Sequence, residues 1–339
     1  MTTAVIATDQ LTRRFGDKIA LDALTLEVHA GEVFGFLGHN GAGKTTTVRL
    51  LNGVLESHAG SARVLGLDPI RDGPALRART GVLTESASLD ARLSGRDNLL
   101  IYADLFGVPK DRVAARVTEL LDLFGLSDSA NLKVAAYSTG MRQRLALART
   151  LLHEPEMLFL DEPTAGLDPL AARQAHELIA GLARQKGRTV FLCTHNLVEA
   201  QRLCDRVAVM EHGRMVALGA PAELARQYVR RLDVDVEVAP EHVEAAADLL
   251  ARASALVAGR PRVAAGSTGS PANALANGMS NTLSLTVTGR EAIPDALALL
   301  TQHGIRVYRL TPHEPSLEEV YFALHAAATD GRPAQEDCA

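Results

Sequence analysis

No stretch of this 339-residue chain stays apolar for long. Runs such as Leu197–Val198 and Val207–Met210 fall far below the roughly 20 residues that a membrane-spanning helix needs. The start, Met1-Thr2-Thr3-Ala4-Val5-Ile6, carries no basic stretch ahead of a hydrophobic one, so no secretory signal is expected. Cysteine is scarce. Cys193, Cys204 and Cys338 have no metal-like spacing and cannot all pair, which predicts reduced thiols without a role. Basic excess is missing as well: the net charge is −5 and no basic cluster occurs, so nothing points to a nucleic-acid surface. There are no heptads and no internal repeat. What remains is ordinary, with 47% hydrophobic and 22% charged residues, as in a soluble globular protein. The length suggests two domains.

Against that background one segment stands out. Residues 38–46 read Gly38-His39-Asn40-Gly41-Ala42-Gly43-Lys44-Thr45-Thr46, a complete GxxxxGK[ST] phosphate loop. The apolar run Val33-Phe34-Gly35-Phe36-Leu37 before it suits a buried strand, and Thr45 to Leu51 after it suits a helix. In that context the glycine-rich backbone can curl its N–H groups around phosphates at a helix N-terminus. Lys44 would reach the β- and γ-phosphates, and the Thr45 hydroxyl would hold Mg²⁺.

Elsewhere the patterning predicts antiparallel strands at Ala4–Thr8 and Leu21–Val28, and a helical stretch over 94–153. In that stretch Val113, Val117, Leu120, Leu121 and Phe124 share a face, ahead of Gly125. Leu158–Leu160 and Val190–Leu192 read as buried parallel strands, and Arg206–Glu211 with Met215–Leu218 as a hairpin around His212-Gly213. Composition shifts after Gly219-Ala220-Pro221. A second unit of α+β type follows: strands at 232–238, 283–288 and 306–310, and helices at 240–256, 290–303 and 316–325. The Gly-, Ala-, Ser- and Pro-rich segment 259–281 predicts a mobile loop, and 327–339 a disordered tail.

A second chemical signal lies at Met157-Leu158-Phe159-Leu160-Asp161-Glu162, an apolar strand ending in two acids. Beside a phosphate loop, Asp161 would hold Mg²⁺ through water, and Glu162 would orient and deprotonate an attacking water. Taken alone, the same acids also suit a helix N-cap before Pro163. Tyr137-Ser138-Thr139-Gly140-Met141-Arg142-Gln143-Arg144 then opens a helix running to about His153, with Ser138 and the Gly140 amide at an N-terminus ready for an anion.

The order of phosphate loop, serine-glycine signature, Asp-Glu strand end, Gly166-Leu167-Asp168 and lone His195 resembles the ATPase of ABC transporters over about residues 4–222. The resemblance implies an α/β P-loop NTPase cassette over 1–222, with an antiparallel β subdomain and a helical subdomain at about 86–153. The small C-terminal α+β domain would occupy 223–326. It implies ATP and Mg²⁺ as cofactors, and a head-to-tail homodimer in which Ser138 and Gly140 of one subunit meet the phosphate loop of another. Asp168 would lie in the loop bridging the subunits, and His195 would donate to the γ-phosphate. Phe15 matches the aromatic that stacks on adenine, although by itself it also reads as a core residue.

Three places depart from the family pattern. Glu85 follows Val82-Leu83-Thr84 where glutamine is usual, and a carboxylate there is a further candidate Mg²⁺ ligand. His39 stands in place of proline, and Thr139 and Met141 replace glycine and glutamine. Together with Glu314-Pro315-Ser316-Leu317-Glu318-Glu319-Val320-Tyr321, these segments resemble bacterial exporter ATPases of the daunorubicin/doxorubicin resistance type. Those work with a separately encoded multi-span permease, which would place this chain in the cytoplasm, peripheral on the inner face of the membrane. The alternative, a soluble ABC-type ATPase acting on ribosomes or DNA, sits poorly with one cassette, no heptads and no basic face.

Overall fold

A computed structural model describes residues 4–84, 88–229, 231–263 and 281–329. The chain divides into two compact units, Met1–Pro221 and Ala222–Ala339.

The first unit opens with a hairpin of β1 (Ala4–Phe15) and β2 (Lys18–His29), joined by β4 (Ala59–Val64) into an antiparallel sheet of order β2-β1-β4. Both hairpin strands are longer than their alternation suggests, because pairing continues to the Phe15–Lys18 turn beyond the last buried residues. Their inward residues Ile6, Leu11, Leu21, Leu24, Leu26 and Val28 are buried. A second sheet has the order β5-β6-β7-β3-β8-β9. Its strands are β3 (Val33–Leu37), β5 (Thr80–Leu83), β6 (Met157–Asp161), β7 (Thr189–Thr194), β8 (Arg206–Glu211) and β9 (Arg214–Gly219). All but β9 run parallel. Parallel strands are covered on both faces, so they read as unbroken apolar runs. Phe34, Phe36 and Phe159 all pack on Phe191, with ring centroids 5.2–5.7 Å apart.

Helices α1 (Lys44–Leu51) and α2 (Gly73–Arg77) follow β3 and β4. A helical group of α3 (Gly95–Leu105), α4 (Lys110–Leu123) and α5 (Thr139–Thr150) buries Leu99, Val117, Leu120, Leu121 and Leu145. Helix α5 stops at Thr150 rather than near His153; the following turn frees His153 to contact the Thr80 carbonyl (3.0 Å). α6 (Pro169–Lys186) and α7 (Leu197–Leu203) complete this unit, and α8 (Pro221–Tyr228) begins at the division.

The second unit is a sheet of order β11-β12-β10-β13, antiparallel throughout. Its elements run β10 (Leu232–Val238), α9 (Val243–Arg252), β11 (Arg262–Val263), β12 (Thr282–Val287), α10 (Ala292–Gln302), β13 (Val307–Pro312) and α11 (Leu317–Thr329). That βαββαβ order is ferredoxin-like. Val234, Val236, Val238, Leu283, Leu285 and Val287 share its core with Ala246, Leu250, Ala296 and Leu300.

Three expectations shift here. The helix expected over 240–256 begins after a 3₁₀ turn at Pro240–His242 and ends at Arg252, since Val257 must leave it to bridge Val287. The expected loop 259–281 contains strand β11 at its start, and the rest of it, 264–280, lies outside the described residues. Helix α11 continues through 327–329, which removes those residues from the expected tail; 330–339 lie outside the description.

Candidate functional site

The phosphate loop joins the end of β3 to α1, and its backbone explains its glycines. Gly41 and Gly43 hold φ of +89° and +107°, which L-residues rarely adopt. A Cβ on Gly43 would lie 2.5 Å from the Ala20 carbonyl oxygen. Lys44 is buried, and its Nζ donates back to the carbonyls of Gly38 (2.5 Å) and His39 (3.3 Å), closing the loop around its own ammonium. A concave ring of backbone with a buried cation and a helix N-terminus is an anion cradle.

Two strand ends deliver the acids. Asp161 ends β6, where its Oδ2 accepts the Thr45 hydroxyl at 2.8 Å. Glu162 follows with φ +51°, a left-handed conformation that a non-glycine residue adopts only when its surroundings hold it there. Its N–H donates to the Cys193 carbonyl (2.9 Å), so the chain is clamped to β7 as it turns. The Glu162 carboxylate then meets three neighbours. Oε1 accepts the His195 backbone N–H (3.1 Å), lies 2.8 Å from His195 Nδ1 and stands 3.7 Å from Lys44 Nζ. Oε2 lies 3.3 Å from the Thr194 hydroxyl. Against a carboxylate Nδ1 is the protonated ring nitrogen, which leaves His195 Nε2 to face outward.

Lys44, Thr45, Asp161, Glu162 and His195 line one cavity of about 310 Å³ together with Phe15, Lys18, Asn40, Gly41, Gly43 and Thr46. Phe15 is 46% exposed rather than core, and the Arg13 guanidinium covers one face of its ring at 4.8 Å.

Not every expected residue reaches the cavity. Gly38 and Ala42 are buried beneath it. His39 contributes its carbonyl to Lys44, but its ring is turned toward His212, 5.5 Å away edge-on, and its Nδ1 contacts the Asn40 carbonyl. Ser138, Gly140 and Asp168 are not in the lining. Ser138 caps α5 by accepting the Met141 N–H (3.2 Å), and Asp168 caps α6 through Leu170 and Ala171 (both 3.0 Å). Glu85 lies outside the described residues. Thr194 and Glu199 also enter the network around Glu162, and no sequence motif marks them. Glu199 follows Asn196 at capping-box spacing, and that pattern marks it as an ordinary first-turn acid.

Cys193 pairs with Asp161 across β6 and β7. Burial, then the Asp161 carboxylate, pushes its thiol well above the ordinary range, against the opposing pull of Lys44. Burial likewise raises Cys204. A thiolate-directed reagent is therefore expected to leave both unlabelled in the native protein and to label both in denaturant, as read by mass spectrometry of the digest.

The site is oxygen-rich where a hard cation would sit, at Thr45 and Asp161, and basic where phosphates would sit. A profile of the ABC transporter family matches residues 21–165. A daunorubicin resistance ATP-binding protein of Streptomyces coeruleorubidus is 39% identical over 98% of this chain and 98% of its own length. A Nod factor export ATP-binding protein of Paraburkholderia xenovorans is 42% identical over 66% of this chain and 73% of its own. Among solved structures, cbiO1 from Clostridium perfringens, part of an ABC transporter complex, aligns with a TM-score of 0.60 at 30% identity, covering 65% of this chain and 90% of that one. The chain thus belongs to the ABC transporter family, among its ATP-binding and ATP-hydrolysing subunits.

Proposed function

We propose that this chain powers export through a separately encoded, multi-span membrane permease by closing as an ATP-bridged homodimer and hydrolysing the nucleotide. One observation carries the dimer. The Ser138-capped N-terminus of α5 is an exposed anion site that the chain's own cavity does not use. Asp168 is equally exposed, and so is Leu170 beside it at 67%. A second copy, turned head to tail, would bring Ser138, Gly140 and Asp168 to the nucleotide.

Within one subunit, Lys44 and the amides of Gly41 to Thr46 would bind the phosphates, with Asn40 at the rim and Phe15 beneath the adenine. Thr45 and Asp161 are suited to Mg²⁺, and Glu85 is a further candidate ligand. Bound there, the cation would neutralise charge on the triphosphate. Glu162 Oε2 would take a proton from the attacking water, and His195 would turn its ring N–H from Glu162 to the γ-phosphate. No helix among the described residues is long and apolar enough to cross a membrane. In this reading the path for the cargo, and its recognition, belong to the permease, with this chain on the cytoplasmic face.

Light scattering of the Glu162→Gln protein tests the dimer. Adding ATP is expected to double the mass, because the nucleotide would bridge the Lys44 loop of one copy and the Ser138 helix end of the other, and so would bind the dimer better than the monomer. An unchanged mass would count against the sandwich.

A further inference from the structure

Glu199 has no part in that scheme, yet it is the most enclosed carboxylate around the cavity. It lies in the first turn of α7 and is 1% exposed. A buried carboxylate is costly unless its oxygens are satisfied. Here three donors converge. Oε1 accepts the Thr164 hydroxyl (3.0 Å) and His176 Nε2–H (3.0 Å), and Oε2 accepts the Thr194 hydroxyl (2.9 Å). Thr164 belongs to the turn after Glu162, His176 to the middle of α6, and Thr194 to the end of β7 just before His195.

The consequence falls on Thr194. Its Oγ1 accepts the Asn196 N–H (3.0 Å) and has a single proton to give. Two carboxylate oxygens compete for that proton: Glu199 Oε2 at 2.9 Å and Glu162 Oε2 at 3.3 Å. The shorter contact takes it. Glu162 Oε2 is left beside a hydroxyl that does not donate, with its own lone pairs open to a water proton.

We propose that Glu199 is a positioning residue for ATP hydrolysis that acts through Thr194. By holding the Thr194 proton it keeps Glu162 Oε2 available as a base. Through Thr164 and His176 it also ties the turn after Glu162 and the helix behind Asp168 to the strand end that carries His195. This rests on the reading of Glu162 as the base.

In Glu199→Gln the amide nitrogen should face Thr194, since that orientation reverses one partner, whereas the other would reverse both Thr164 and His176. The Thr194 proton then swings to Glu162 Oε2. The turnover number is expected to fall about tenfold and KM for ATP to stay within about twofold, because Lys44 and Thr45 are untouched. Adding Thr194→Val to that variant removes the contested proton, and should recover at least about half of the lost turnover. A double variant no faster than Glu199→Gln, or a change in KM instead of turnover, would overturn the proposal. Thr194→Val alone takes the proton from both carboxylates instead of handing it to Glu162, so it should lose less turnover than the roughly tenfold set out for Glu199→Gln. A larger loss would mean that Glu162 needs the hydroxyl as a donor, and this decides the matter even where thermal melting shows Glu199→Gln unfolded. Glu162→Gln assayed alongside separates the two claims: near-normal turnover there discards the base itself, whatever the Glu199 variants do.

Discussion

Glu162→Gln is expected to lower ATP turnover by at least about a hundredfold while ATP still binds, the range for loss of a positioned general base. The substitution keeps the shape of the side chain, so the left-handed turn and its clamp to Cys193 survive. Lys44 still donates to the Gly38 carbonyl, and Thr45 still meets Asp161. What disappears is the basic oxygen, together with a negative charge 3.7 Å from Lys44. Removing that charge should hold or tighten the affinity for a polyanion, since less negative potential faces the phosphates. Phosphate release measures the first effect, and a fluorescent ATP titration the second. Near-normal turnover would remove Glu162 from the role of base, and a lost affinity would assign it to binding instead.

The same pair of acids shows what could be read from residues alone. The parallel strands were legible because burial on both faces leaves short apolar runs such as Met157–Leu160 with little competing interpretation. The phosphate loop was legible because its glycines answer a backbone demand that few other residues meet, as the φ of Gly43 makes plain. Glu199 was not. Its spacing from Asn196 is that of an exposed helix cap, and only the packing of α6 and α7 against β7 turns it into a buried acceptor. His39 sits inside the motif, yet its ring direction depends on His212, 173 residues later in sequence, so no local pattern could give it. Strand β11 failed for another reason: at two residues, Arg262–Val263, it is too short to show any period. Ser138, Gly140 and Asp168 are a different case. Ser138 and Asp168 are explained locally as helix caps and Gly140 as a first-turn residue of α5, and the role proposed for them needs a second molecule.

Lys44→Ala should act on binding rather than on the chemical step. The ammonium is buried, donates to two loop carbonyls and is the cation nearest the Glu162 carboxylate. With nucleotide present its donors would be shared with phosphate oxygens as charge-assisted hydrogen bonds. Losing one such bond costs about 1.5–3 kcal/mol, which corresponds to roughly a 10- to 150-fold weaker Kd for ATP. The unliganded loop should suffer as well, because the carbonyls of Gly38 and His39 lose their donor and Glu162 loses its neighbouring charge. A lower melting temperature without nucleotide, and a smaller rise when ATP is added, are the expected signs in a thermal-shift assay. The two losses can be separated. If melting falls but the ATP titration overlays wild type, the lysine serves the shape of the loop and the backbone amides alone hold the phosphates. If both change, the ammonium that closes the empty loop is also the group that grips the nucleotide.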